Sequence, residues 1–162
     1  AGSMALDALR VAHWRPSEAE LDDRSLPHEL DLLATSVHLS KGCYRGQETV
    51  AKVHNLGHPP RRLVFLHLDG SGHEIPAVGA SVTISSDGEA KQVGQITSVA
   101  QHFESGPIAL AVVSRSTPVD AEFLIVDENG SQIAATQEII VPPTAGKAAN
   151  LPSRRNLMGG HA

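Results

Sequence analysis

The sequence predicts an α+β protein that is mainly β: a short helical and irregular N-terminal segment, then a small antiparallel barrel of about six strands. Three observations carry this expectation. Beyond residue 60, short runs of β-branched residues recur at roughly ten-residue spacing. Asp69-Gly70, Asp87-Gly88 and Asn129-Gly130 punctuate them as turn dipeptides. The chain has 162 residues, of which 41% are apolar and only 3% aromatic, so one compact core must be built from Val, Ile, Leu and Ala.

The elements follow in order. Ala1-Gly2-Ser3 ahead of Met4 reads as a cloning remnant, so residues 1–4 are set aside. From Ala5 to Trp14, Leu6, Leu9 and His13 stand at helical spacing and Arg15-Pro16 supplies a stop, which predicts one short helix with those residues as its apolar stripe. Ser17 to Leu26, rich in Glu and Asp and without a clean period, predicts an extended and partly solvated connection. Leu30, Leu32, Leu33, Val37 and Leu39 form an apolar patch, a helical turn or a short strand. The loop Asn55-Leu56-Gly57-His58-Pro59-Pro60 marks the boundary between residues 5–57 and a β domain over 58–144.

Strands are expected at Arg61–Asp69, Ser81–Ser85, Lys91–Val99, Ile108–Ser114, Glu122–Val126 and Ser131–Val141. Val64, Leu66 and Leu68 alternate with His67 and Asp69, as in a strand with one buried face, and Val82, Ile84 and Leu110 are expected to share that face. Apolar residues thin out after Pro142, so 145–162 reads as a tail.

Composition excludes several functions. Thirteen basic against eighteen acidic residues give a net charge of −5, which supplies no positive field for nucleic acid, and five aromatic residues offer few stacking platforms. No apolar run suits a membrane helix and no signal-peptide layout is present, so a cytoplasmic protein is expected. One cysteine excludes an internal disulfide framework and a cysteine-only metal site. His54, His58 and His67 show no spacing that demands a metal, and none is expected. Arg61 and Arg62 with Lys52 form a small basic cluster, read as a solvated strand entry.

The informative stretch is Lys41-Gly42-Cys43-Tyr44-Arg45-Gly46-Gln47-Glu48, with Thr49-Val50-Ala51-Lys52 after it. It places a thiol just before a short helix expected to begin near Gly46. Unpaired N–H groups at a helix start, with Lys41 and Arg45 nearby, favour a thiolate. Gly42 and Gly46 bracket the thiol with residues that tolerate unusual backbone angles. The competing reading is a small buried hydrophobe, the commonest use of a free cysteine.

This octapeptide resembles the K-G-C-Y-x-G-Q-E signature of the YgfZ family of folate-binding proteins, relatives of the glycine-cleavage T-protein, an aminomethyltransferase. All seven specified positions match. Leu26-Pro27-His28-Glu29 resembles the Pro-x-Glu element that precedes the signature there. The resemblance implies tetrahydrofolate as cofactor, Cys43 as the functional thiol, and Lys41, Gly42, Tyr44, Gly46, Gln47 and Glu48 around the folate. It implies iron–sulfur client or assembly proteins as partners, and support of cluster assembly or repair as the function. T-protein-like aminomethyl transfer and a non-catalytic interaction module are the alternatives. Family members have about twice this length, so the chain is expected to be a C-terminal portion whose folate site is completed by an N-terminal half.

Overall fold

A computed structural model describes residues 2–147, apart from residues 73 and 87. The expected tail therefore lies outside the described residues from 148 onward. Helix α1 spans Ser3–Ala12, α2 is the single turn Leu33–Ser36, and α3 spans Gln47–Leu56. Six strands follow: β1 Arg61–Leu68, β2 Ser81–Ser86, β3 Glu89–His102, β4 Gly106–Ser114, β5 Phe123–Val126 and β6 Gln132–Ile139. They close into a barrel in the order β1-β4-β3-β2-β5-β6, with every pairing antiparallel. The expected fold class is thus the observed one.

Closure gives each strand an inward face. Val64, Leu66, Leu68, Val82, Ile96, Ala109, Ala111, Phe123, Ile125 and Ala135 fill the interior. Ile84 packs partly buried against them. Leu110 is buried too, but on the opposite face, because it is one residue out of phase with Ala109 and Ala111. That outer face is covered: Leu63, Phe65, Ile108 and Leu110 lie beneath Ala8 and Val11 of α1, with Leu30 and Val141. β1 is therefore buried on both sides along its middle, not on one side as its alternation suggests.

The inward stripe of α1 also differs from expectation. Ala8 and Val11 face the sheet, whereas Leu6, Leu9 and His13 point outward. Small residues let the helix approach the strands closely, and the larger leucines are left outside.

Residues 17–26 are more structured than their acidic composition suggests. Ser17 and Glu20 form a capping box around a 3-10 turn at Glu18–Glu20. The buried Glu20 carboxylate accepts from the Ser98 hydroxyl, which in turn accepts from Arg10 Nη2 at 3.0 Å, tying α1 to β3. Ser98 lies at a bulge in β3 opposite β4. Gly94, in the same strand, is required by close approach, since a Cβ there would stand 2.3 Å from the Val112 carbonyl oxygen.

The adjacent arginines part company, because neighbouring strand residues face opposite ways. Arg61 pairs with carboxylates outside the barrel, whereas Arg62 points inward and is 0% exposed. The Arg62 Nη2 donates to the Thr117 carbonyl at 3.1 Å and to Gln137 Oε1 at 3.0 Å, while its Nε and Nη1 have no partner. The solvated-entry reading is overturned for both residues. Burial pushes the Arg62 guanidinium pKa down. A buried charge without a carboxylate adds little stability, so Arg62→Met should leave the melting temperature unchanged or raise it. A loss above about 2 kcal/mol in chemical denaturation would show that the guanidinium holds this end of the barrel together.

Candidate functional site

The chain turns at His38–Lys41, where the Lys41 N–H donates to the His38 carbonyl at 3.3 Å, and then runs exposed through Gly42 and Cys43. Tyr44 follows half-buried, and its ring lies beneath the Lys41 ammonium, 5.1 Å from the centroid. The Gln47 N–H closes onto the Tyr44 carbonyl at 3.2 Å. Gly46 is the N-cap of α3 with φ of 83°, a left-handed conformation that glycine adopts without steric cost. Gly42 takes no such angle, so only one of the two bracketing glycines is needed for its backbone freedom. Glu48 is exposed in the first turn of α3, where a negative charge complements the helix dipole, and it makes no capping bond.

Cys43 is exposed. Of the two sequence readings of this thiol, a buried hydrophobe does not describe its place. Lys41, Gly42, Gly46 and Glu48 are exposed and Tyr44 and Gln47 half-buried in this segment, and the two clefts of about 390 and 790 Å³ are lined by other residues. The smaller lies beside Glu20, Asp22 and Arg61, and the larger at the barrel mouth around Leu68, Ile84 and Phe123. The six motif residues therefore do not by themselves enclose a pterin-sized ligand, and no chemical step is assigned through one.

The turn at 26–30, which meets α3 through His28 and His54, is held by residues the motif does not contain. Glu29 of the Pro-x-Glu element is 1% exposed. Its carboxylate receives Arg61 Nε at 3.2 Å and Nη2 at 2.9 Å, and the Leu26 N–H at 3.2 Å. Its backbone carbonyl accepts from the Leu63 N–H at 2.7 Å. Glu29 thus fixes the turn at 26–30 onto β1, and it is not available as an acid or base near the thiol. Arg61 also grips Asp22, holding that carboxyl well below the usual range.

Beside Glu29, His28 is buried and meets the half-buried His54 of α3, with ring centroids 5.9 Å apart. No local spacing links the two rings, since His28 lies 26 positions before His54. At the far end of α3, the Val53 carbonyl accepts from the Lys147 N–H at 3.4 Å, and His58 Nδ1 lies 2.8 Å from the Ala145 carbonyl oxygen. Among the described residues no group of three or more His, Cys, Asp or Glu side chains could hold a metal ion. No described helix is long and apolar enough to cross a membrane.

No family model matches the chain. A protein of Aliivibrio fischeri named tRNA-modifying protein YgfZ is 32% identical over 116 residues, covering 70% of this chain and 36% of that protein. The protein of the same name from Edwardsiella ictaluri is 28% identical over 112 residues, covering 68% of this chain. This chain is a YgfZ-like segment. A chloroplastic protein of Arabidopsis thaliana, provisionally named a transferase, is 28% identical over 156 residues, or 91% of the YgfZ-like chain. The chain spans about a third of the length of these relatives. The crystal structure of the glycine cleavage system aminomethyltransferase T from Bartonella henselae superposes on 85% of the YgfZ-like chain and 37% of its own, with a TM-score of 0.58 and 20% identity. That likeness is one of fold.

Proposed function

We propose that this chain is part of a folate-binding, YgfZ-like protein that supports assembly or repair of iron–sulfur clusters in client enzymes, with Cys43 as its functional thiol. The observation that carries the reading is the exposed cysteine inside an intact K-G-C-Y-R-G-Q-E segment, set at the start of a helix. Residues 5–57 belong to the folate-binding domain, and 58–144 form a barrel domain that braces it. Lys41, Gly42, Tyr44, Gly46, Gln47 and Glu48 supply one wall of the folate site. Tetrahydrofolate, when bound, supplies the one-carbon chemistry, and these residues position it beside the thiol.

The protein acts in the cytoplasm as a maintenance factor. The relatives' name points to clients that modify tRNA, and the net charge of −5 favours contact with such an enzyme over contact with the RNA itself.

The test is Cys43→Ala in cells that depend on this gene. Iron–sulfur enzyme activities should fall while the amount of the variant protein stays normal, and unchanged activities would overturn the role of the thiol. Calorimetry on residues 1–162 should find tetrahydrofolate binding weak or absent, since one wall buries too little of the ligand. Tight binding would place the whole site in this segment.

A further inference from the structure

Helix α3, which follows the thiol segment directly, is held to the rest of the molecule at few points. Val50 is its single buried residue. Its last turn lies under Ala145–Lys147, and between these contacts His54 meets His28. His28 is 2% exposed, and neither of its ring nitrogens has a partner; His54 Nδ1 is buried and unpartnered as well. Buried polar atoms without partners are rare and call for an explanation.

The charge balance explains what such a site tolerates. A neutral imidazole there leaves one N–H and one lone pair unsatisfied. An imidazolium leaves two donors unsatisfied and adds a buried charge, which costs far more. Two titratable groups face it. His54 on α3 repels it when charged. Glu29, on the same turn, attracts it, but Arg61 of β1 already occupies that carboxylate. We propose that His28 and His54 form a proton-operated clasp: neutral, they seat α3 on the turn at 26–30, and protonation of His28 releases the helix together with the 41–46 segment that carries Cys43. As regulation of the thiol this rests on the function proposed above; as a property of the helix it does not.

A proton is the ligand these rings suit. Two imidazoles fall short of the three protein ligands a zinc site ordinarily uses, and no third donor joins them among the described residues. Burial first, and His54 second, push the His28 pKa below its usual value, against the smaller pull of Glu29. The folded state therefore binds this proton less well than the unfolded chain. Seating is complete above about pH 6.5, the ordinary histidine range, and is lost as pH falls below it.

Amide hydrogen exchange on the 162-residue chain at pH 7.5, 6.5 and 5.5, corrected for intrinsic rates, reads the clasp directly. Protection of residues 47–56 should fall severalfold relative to residues 61–68 on acidification, bounded at about tenfold at pH 5.5 by an ordinary histidine in the released state. In His28→Phe, which keeps the ring volume, the fall should vanish. In His54→Phe, which removes the repelling neighbour and so lessens the depression, the fall should be smaller.

A flat wild-type profile, a fall that persists in His28→Phe, or an undiminished fall in His54→Phe would overturn the proposal. So would a gain in protection on adding zinc at pH 7.5, which would make the rings a metal site. Cys43→Ala should titrate like wild type, so loss of the thiol's role and loss of the clasp are separate outcomes.

Discussion

Leu66→Ala should destabilise the protein by about 2 to 5 kcal/mol, read as a lower denaturation midpoint with an unchanged slope. Leu66 is 0% exposed at the centre of β1, which pairs with β4 on one side and β6 on the other. Its side chain points into the barrel among Val64, Ile96, Ala109 and Ala135, and no rigid ring of six strands collapses easily around a lost isobutyl group. The substitution therefore forfeits the transfer energy and leaves a cavity. Leu6→Ala is the control: the same chemistry at a residue 67% exposed should stay within about 0.5 kcal/mol of wild type. Equal effects at the two sites would mean that the inward face of β1 is wrongly placed.

Arg61→Ala should cost about 3 kcal/mol, and more than Glu29→Gln. Removing the guanidinium strands the Glu29 carboxylate, 1% exposed, with the Leu26 N–H as its remaining donor. Breaking a buried pair from one side typically costs 3 to 5 kcal/mol, and the partial exposure of Arg61 argues for the lower end. Arg61→Lys keeps the charge but not the fork that spans Asp22 and Glu29, so it should recover only part of the loss.

The pH dependence has a definite sign. The Asp22 carboxyl is depressed in the folded state, chiefly by its bond to Arg61, so its contribution is present above about pH 4 and lost as pH falls further. Arg61→Ala should flatten that acid limb. An unaltered limb would show that Asp22 is held by Ser25 and the Arg24 N–H alone.

The strands were legible because turn dipeptides and β-branched runs are local signals, and observed boundaries such as Arg61–Leu68 and Ser81–Ser86 fall close to those expected. Ring order was not, since β1 meets β6 through residues such as Val64 and Ile139 that no local pattern links. The thiol segment was legible as an octapeptide leading into a helix, which starts at Gln47, although Gly42 does not take the unusual angle expected of it. What holds the turn at 26–30 was not legible. Glu29, Arg61 and Asp22 form one network from three separated stretches, and His28 meets His54 only through the fold. Two cues went unread. Ser17 and Glu20 have capping-box spacing, and the alternation of strand faces already separates Arg61 from Arg62.

The β1–β6 seam sets the order of events during synthesis. Val64 must await Ile139, 75 residues later, before the ring can close. The β2–β3 and β3–β4 hairpins can form as soon as each emerges from the ribosome, but β1 then has β4 on one side only and its other edge is bare. Closure is thus a late, long-range step, with the loop entropy of most of the domain to overcome. Until it occurs, the nascent chain carries an exposed apolar edge open to pairing with other chains, and the speed of that last seam decides between the closed ring and aggregation.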